Sequence, residues 1–163
     1  MTIAIFDLRD VPLYDADVEA LGDPPGVAAF KEAIRAADAL LVATPEYQHG
    51  VPGVLKNALD WASRPPATSA FHGKTVAIAG ASPSMTGTAR AQTQLRDVLV
   101  YNDTYAVCRP EVLIAAAHKK FDAGGRLTDE FSRTLLAQLL AKLMELTLTL
   151  RAGRAAVVDA GTP

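Results

Sequence analysis

Residues 39–65 read ALLVATPEYQHGVPGVLKNALDWASRP and contain, in order, a continuous apolar run, a compact polar loop and an amphipathic segment. An apolar run of this kind is typical of a strand that is buried on both faces of a parallel sheet. The apolar residues of the amphipathic segment are spaced by three and four, which predicts a helix that ends at the prolines 65 and 66. The polar loop therefore joins a strand directly to a helix.

The same alternation of strand and helix continues along the chain. Apolar runs predict strands at Met1–Phe6, 39–43, 74–81 and 111–117, and a helical pattern follows each of them. This order favours an α/β fold, an open parallel sheet with helices on both faces. We predict a single domain, residues 1–163, whose tail is frayed or disordered from about residue 152.

Composition and charge narrow the classes of function. Half of the 163 residues are hydrophobic and the net charge is −2, so no basic surface for nucleic acid or an anionic membrane is expected. Cys108 is the single cysteine, which excludes an intrachain disulfide, and we expect it to be buried as a small hydrophobic residue. No signal-peptide pattern and no membrane span are recognised, and the predicted location is cytoplasmic.

Two loops occupy the position at which open α/β sheets bind their ligands. Thr44–Gly50 follows the second predicted strand, Ala81–Gly87 follows the third, and both lead into helix N-termini that favour anions or electron-rich ligand edges. Neither loop contains a cysteine or a close pair of acids, and Glu46 with His49 falls short of a metal site. Backbone amides, one tyrosine and small residues remain. They suit a planar cofactor that brings its own reactivity, although position alone indicates only a ligand crevice.

The residues of these loops carry a resemblance to a known family. TPEYQHGVPGVLKNALDWASRP, residues 44–65, closely resembles the signature of the NAD(P)H-dependent FMN reductase family of flavodoxin-like proteins, Pro-Glu-Tyr-Asn, a short turn, Pro-Gly-x-Leu-Lys-Asn and Asp-Trp. Residues 73–99, GKTVAIAGASPSMTGTARAQTQLRDVL, are similar to its second signature, and residues 5–19 resemble its second strand with the following loop. The similarity extends over most of the chain, in order.

The resemblance implies a flavodoxin-like sheet, bound FMN, and hydride transfer from NADPH or NADH to the flavin and then to a small-molecule electron acceptor such as a flavin or a quinone. It also implies a homodimer or homotetramer, and no side chain that acts as acid or base. By position, Pro45, Glu46, Tyr47 and Gln48 would line the isoalloxazine ring. Three further residues, Ser82, Pro83 and Gly87, would border its opposite side.

The resemblance also implies roles for residues of the helix that follows the first loop. Lys56, Asn57, Asp60 and Trp61 would organise the helix behind the first loop and part of a dimer contact. A 2′-phosphate of NADPH needs a nearby cation, and the sequence leaves the choice among the arginines at 9, 64 and 90 open.

The sequence departs from the family pattern in three places. Gln48 stands where Asn is usual and Ser84 where Gly is common, and both changes are expected to tune flavin contacts. The chain also begins at the family's second strand, so the first βα unit, whose loop grips the FMN phosphate, is expected to be absent. Residues 1–6 would then lack their neighbouring strand and expose apolar edges. The alternative function is therefore a cofactor-free binding or assembly module.

Overall fold

A computed structural model describes residues 1–161 of the chain. The described chain begins with two helices, after which parallel strands and helices alternate except that two short strands follow one another, with 3₁₀ turns between some elements. The strands are β1 (Leu40–Thr44), β2 (Thr75–Ala81), β3 (Tyr105–Ala106) and β4 (Val112–Ile114). The helices are α1 (Ala16–Ala20), α2 (Pro25–Ala36), α3 (Gly53–Ala62), α4 (Ala89–Tyr101) and α5 (Glu130–Asp159).

Strand β2 is the centre of the sheet. It pairs in parallel with β1 along one edge, with Leu40 opposite Val76 and Thr44 opposite Gly80. Its other edge pairs first with β3 and then with β4, which continue one another along the same side. Because all pairs are parallel, the loops after β1 and β2 emerge at the same edge of the sheet. This arrangement confirms the predicted α/β class.

The side chains of β2 alternate between two hydrophobic cores. Val76 and Ile78 face the core formed with α2, α3 and α4, whereas Ala77 and Ala79 face the core formed with α5. Strands covered on both faces lose the polar–apolar alternation of a half-exposed strand, which is why this segment reads as one apolar run. The prediction of helices on both faces is confirmed.

The predicted first strand is wrong. Residues 1–7 are irregular, and the side chains of Ile3 and Ile5 are 55% and 95% exposed. A strand is held by ladder hydrogen bonds to a neighbour, and within residues 1–161 no strand pairs with this segment or with the outer edge of β1. Only Phe6 makes an aromatic contact, with the ring of Phe30 at a centroid distance of 5.1 Å.

Helix α5 differs from the expected frayed tail. It continues through Asp159, while the last two residues, 162 and 163, lie outside the described part. Asp129 caps its start, since its carboxylate accepts a hydrogen bond of 2.9 Å from the amide of Ser132. In residues 1–161 no helix combines the length and the apolar character that crossing a bilayer requires. The single-domain assignment stays a prediction.

Cys108 is exposed, contrary to the expectation of a buried side chain. It lies between β3 and β4, where the chain leaves the edge of β2 and rejoins it several residues later. The preceding residue, Val107, is buried in the core formed with α5, so the Cys108 side chain points away from that core into solvent.

Candidate active site

The two predicted site loops lie side by side at the carboxyl edge of the sheet. β1 ends at Thr44 and β2 at Ala81, and the register places Thr44 beside Gly80. The first loop leads to α3 and the second to α4, so two helices begin at this edge, and we call the edge between the two loops the crevice. This is the geometry in which parallel sheets bind planar and anionic ligands.

The first loop folds back on itself as a tight hairpin turn. Tyr47 and Gly50 exchange both backbone hydrogen bonds, at 3.1 and 2.9 Å. The two residues between them, Gln48 and His49, have φ angles of +50° and +62°. Positive φ at both central positions defines a type I′ turn, which favours Asn and Gly. The turn presents the Tyr47 side chain, 64% exposed, at the rim of the crevice.

Glu46 ties the first loop to the second. Its side chain is only 5% exposed, and its Oε2 accepts hydrogen bonds from the amides of Arg90 and Ala91 at 2.9 and 3.1 Å. These amides belong to the first turn of α4, the helix that follows the second loop. A carboxylate of the first loop therefore caps the N-terminus of the helix after the second loop. Burial opposes its ionisation, but the Ala91 and Arg90 amides and the Arg90 guanidinium outweigh burial and hold the pKa of Glu46 below 4.5.

Gln94 provides a second tether between the same elements. Its Oε1 accepts a hydrogen bond of 2.9 Å from the amide of Val51, at the end of the first loop. A Cβ on Gly50 would lie 2.7 Å from the same Oε1, so the glycine allows this close approach. Three residues of α4 and one buried carboxylate therefore fix the position of the loop that carries Tyr47.

The second loop is held by its own serine hydroxyls and by the end of β4. Ser82 is buried, and its Oγ accepts a hydrogen bond of 3.2 Å from the amide of Ser84. The Ser84 hydroxyl donates to the carbonyl of Gly87 at 3.1 Å. Gly87 has a φ of +59°, and a Cβ there would lie 2.9 Å from the backbone of Leu113. A side chain at position 87 would push the loop away from β4.

Side chains of helix α3 form hydrogen bonds that hold residues 12–14 against the helix. Asn57 Nδ2 and Trp61 Nε1 both donate to the carbonyl of Pro12, at 2.7 and 2.9 Å. The amide of Tyr14 donates to Asn57 Oδ1 at 2.8 Å, and the Tyr14 ring meets the Trp61 ring edge-on at 5.0 Å. Lys56 and Asp60 form an exposed ion pair on the same helix. Asn57 and Trp61 thus act in the interior of the described chain.

The first loop also offers backbone hydrogen-bond donors for a ligand. Within the described residues, the amides of Glu46, Gln48 and His49 donate to no protein acceptor. No group of three or more potential metal-ligating side chains is found in residues 1–161. Free amides beside an exposed tyrosine ring fit the heteroatom edge and the face of an isoalloxazine ring.

The structure places the residues predicted for the site in the two loops at the carboxyl edge of the sheet. Four come from the first loop and three from the second: Pro45, Glu46, Tyr47 and Gln48, and Ser82, Pro83 and Gly87. Of the three arginines left open by the sequence, Arg90 lies at the crevice and contacts both loops through Glu46 and Thr86. The tethering role of Gln94 was missed, because no local pattern connects residues 43 positions apart.

Comparison with known proteins assigns the chain to a family. The model of the family described as "NADPH-dependent FMN reductase" matches residues 1–119, which include both loops and helices α3 and α4. The chain belongs to the NADPH-dependent FMN reductase family. The family resemblance deduced from the two loop signatures is therefore confirmed.

Individual relatives agree with this assignment. An NAD(P)H-dependent FMN reductase of Pseudomonas aeruginosa is 54% identical over 88% of this chain and 77% of its own length. A 2-hydroxy-1,4-benzoquinone reductase of a Burkholderia species is 45% identical over 83% of this chain and 74% of the relative. The solved structure of FerB, a flavoenzyme NAD(P)H:(acceptor) oxidoreductase of Paracoccus denitrificans, is 34% identical with a TM-score of 0.78, covering 87% of this chain and 78% of FerB.

Replacing Glu46 by Gln is expected to loosen the reductase's two loops from one another. Charge-assisted hydrogen bonds to a buried carboxylate contribute more than neutral ones, so we expect a loss of about 2 kcal/mol in the free energy of unfolding at pH 7. For a chain of this size the melting temperature should fall by roughly 4–8 °C. Urea unfolding monitored by tryptophan fluorescence measures the change.

The pH dependence separates this charge effect from a packing effect. Because the folded pKa of Glu46 lies below its ordinary value of 4.5, its stabilisation is complete above that pH and is lost as pH falls through the folded value. The difference between wild type and Glu46→Gln should therefore shrink in acid. A difference that stays constant from pH 7 down to pH 3 would contradict the proposed role of the carboxylate.

Residues that prefer positive φ are expected to stabilise the protein when placed at positions 48 and 49 of the turn. Gln48→Asn combined with His49→Gly should raise the free energy of unfolding by about 1 kcal/mol, because both replacements adopt the left-handed conformation at lower cost. Gly53→Ala, at an open position with negative φ on the next helix, is the comparison that tests a general glycine effect. A destabilised double variant would show that the turn is not type I′.

Proposed function

We propose that the chain is an NAD(P)H-dependent reductase that binds FMN across the two carboxyl-edge loops and passes electrons to a quinone or flavin acceptor. The observation that carries this proposal is that the buried Glu46 carboxylate fastens the Tyr47 loop, with its free amides, to the first turn of α4, which directly follows the Ser82–Gly87 loop. This crevice lies within the segment that matches the family. The cofactor-free module is not favoured, since the relatives are reductases.

Each site residue has a binding role rather than a proton-transfer role. Bound FMN supplies the hydride chemistry, and the protein binds and orients it. The amides of Glu46 and Gln48 would donate to ring heteroatoms, and the Tyr47 ring would cover part of one edge of the flavin. Pro45 would fix the backbone between strand and turn, while Ser82, Pro83 and Gly87 would border the opposite side. Arg90 stands nearby with its guanidinium 3.3 Å from Glu46 Oε1.

The acceptor we propose is a quinone. Relatives are named 2-hydroxy-1,4-benzoquinone reductase, from a Burkholderia species, and quinone reductase, from Pseudomonas putida. A quinone ring is planar and largely apolar, so it can stack on the flat ring of a flavin bound in the open crevice. NADPH and NADH both remain candidate donors for this chain.

We further propose a homodimer or homotetramer that forms beside the crevice. Tyr47 and Val54 expose large apolar side chains there, 64% and 58% accessible, and such groups favour burial against another surface. Light scattering after size exclusion tests the assembly, and a purely monomeric chain with bound FMN would contradict it. The cytoplasmic location remains a prediction from the sequence.

The decisive experiment is a visible spectrum of the purified chain mixed with FMN, followed anaerobically as NADPH or NADH is added. We expect flavin bands that bleach with reduced nicotinamide and return when 1,4-benzoquinone is added. Tyr47→Ala should weaken FMN binding about tenfold, the effect of losing one aromatic contact. Tyr101→Ala, which removes an exposed tyrosine at the end of α4, should leave it unchanged. A chain that binds no flavin would contradict the proposal.

A further inference from the structure

A cavity of about 240 Å³ lies at the opposite edge of the sheet from the flavin crevice. It is bordered by the end of α2, the residues that precede β1 and β2, and one face of α5 near its C-terminal end. β2 runs from Thr75 at the cavity to Ala81 at the crevice, a separation of roughly 20 Å at 3.3 Å per residue. The side chains at the cavity that can carry charge are Arg35, Asp38, His72, Lys74, Arg151 and Arg154.

The cavity has an excess of positive charge. Four of its side chains are permanent cations at neutral pH and one is a carboxylate, which pairs with Arg151. Among the described residues, Arg35, Lys74 and Arg154 form no ion pair. Cations gathered without counter-charges repel one another, and a bound anion removes that repulsion.

Two of these cations are held in place by the backbone. The ammonium of Lys74 donates to the carbonyls of Arg35 and Ala37, at 2.8 and 2.7 Å, which leaves one N–H for another acceptor. Burial lowers the pKa of Lys74, and the nearby Asp38 carboxylate offsets this effect only in part. Side chains that are already positioned lose little entropy when they bind a ligand.

Arg154 is also held in place by its contacts. Its guanidinium donates to the carbonyl of Gly73 at 3.0 Å and lies over the Tyr105 ring, 5.7 Å from the centroid. Gly73 has a φ of +68°, and a Cβ on it would lie 2.6 Å from the Arg154 Nη2 atom. The glycine therefore leaves the space that the guanidinium occupies. These contacts hold a planar, fork-shaped donor at the mouth of the cavity.

We propose that this cavity binds a dianionic phosphate group, either free phosphate or the phosphate of a small monoester. Arginine forks and a lysine ammonium are the usual protein partners of phosphate oxygens, and the three unpaired cations exceed the single charge of a carboxylate ligand. The volume is below the range of about 300–1,000 Å³ usual for larger organic ligands, which limits the bound part to a small polyanion. The site is distinct from the flavin crevice.

Calorimetric titration of the full chain with potassium phosphate tests the proposal, with potassium chloride at matched ionic strength as the reference. We expect saturable binding of phosphate, weakened at least about tenfold by the double change Arg35→Gln and Arg154→Gln. Both side chains are exposed, so the fold should survive. The matched control is Arg133→Gln, which removes a 57%-exposed cation of the same helix outside the cavity and should change binding less than twofold.

The source of the phosphate follows from a second titration series. Glycerol phosphate and a nucleoside monophosphate are compared with orthophosphate, and tighter binding of either ester identifies an organic phosphate as the ligand. Equal or weaker binding of both identifies free phosphate. The FMN absorbance of the double variant should match wild type, which separates this site from the crevice. Absence of saturable phosphate binding, or equal binding by the double variant, would overturn the proposal.

Discussion

Trp61→Ala is expected to lower the free energy of unfolding by about 4 kcal/mol, the range for removing a large buried aromatic ring. The Trp61 side chain is completely buried in the core between β2, α2 and α3. Its indole N–H also donates to the Pro12 carbonyl. The change therefore removes core packing and one hydrogen bond that holds Pro12 against α3. The melting temperature should fall by roughly 8–16 °C in differential scanning calorimetry.

Trp61→Phe separates the two contributions. A phenyl ring retains most of the apolar burial and loses the indole N–H, while Pro12 keeps its hydrogen bond from Asn57. The expected loss is about 1–2 kcal/mol, from one hydrogen bond and a small cavity. If Trp61→Ala cost no more than Trp61→Phe, the ring would not be the core residue that the contacts indicate.

Gly80→Ala is expected to cost about 3 kcal/mol and to weaken FMN binding about tenfold or more. A Cβ at this position would lie 2.4 Å from the Thr44 carbonyl oxygen and 2.4 Å from the Thr88 Oγ1. Thr44 ends β1 and Thr88 precedes α4, so the methyl group would push apart the strand and the helix that carry the two site loops. Urea unfolding and flavin fluorescence measure the two effects.

Gly53→Ala is the matched control for this substitution. Position 53 begins α3, has no atom within 4 Å of an added Cβ, and favours a helical residue. It should leave flavin binding unchanged and raise the free energy of unfolding slightly. An equal loss of flavin binding in both glycine variants would contradict the steric explanation for Gly80.

Several features were predictable from the sequence because they depend on neighbours along the chain. The apolar runs at β2 and β4 and the three-and-four spacing of Val27, Phe30 and Ile34 report burial directly, and all three of those α2 side chains are buried. The run at β1 predicted a strand buried on both faces, and this was wrong, because β1 is the edge of the described sheet and its apolar residues are only partly buried or exposed. The loop after a parallel strand is a ligand position whatever its composition, so Tyr47 and Ser82 could be placed before any coordinates. The family resemblance rested on the same local segments.

Other features required contacts that the sequence does not reveal. The apolar run 1–6 reads as a strand, but a strand exists only where a neighbour completes its hydrogen bonds, and the described chain places none there. The spacing of Phe131, Leu135, Leu139 and Leu143 predicts a buried stripe on α5, but Phe131 is 70% exposed, because the adjacent Ser132 is the residue of that turn that faces the core. Periodicity describes a face and cannot say how far the opposing layer reaches.

The sequence by itself therefore determined the α/β class, the buried central strand β2, the positions of the two loops that follow β1 and β2, and the family. Only the tertiary structure decided that the Glu46 carboxylate binds the start of α4 and that Asn57 and Trp61 donate to the carbonyl of Pro12. It also decided that cations from α2, from the residue before β2 and from α5 surround one cavity. Strand and loop identity follow from local spacing. Contacts between residues 40 or more positions apart depend on how whole elements are arranged, and that arrangement is fixed by the summed packing of the core.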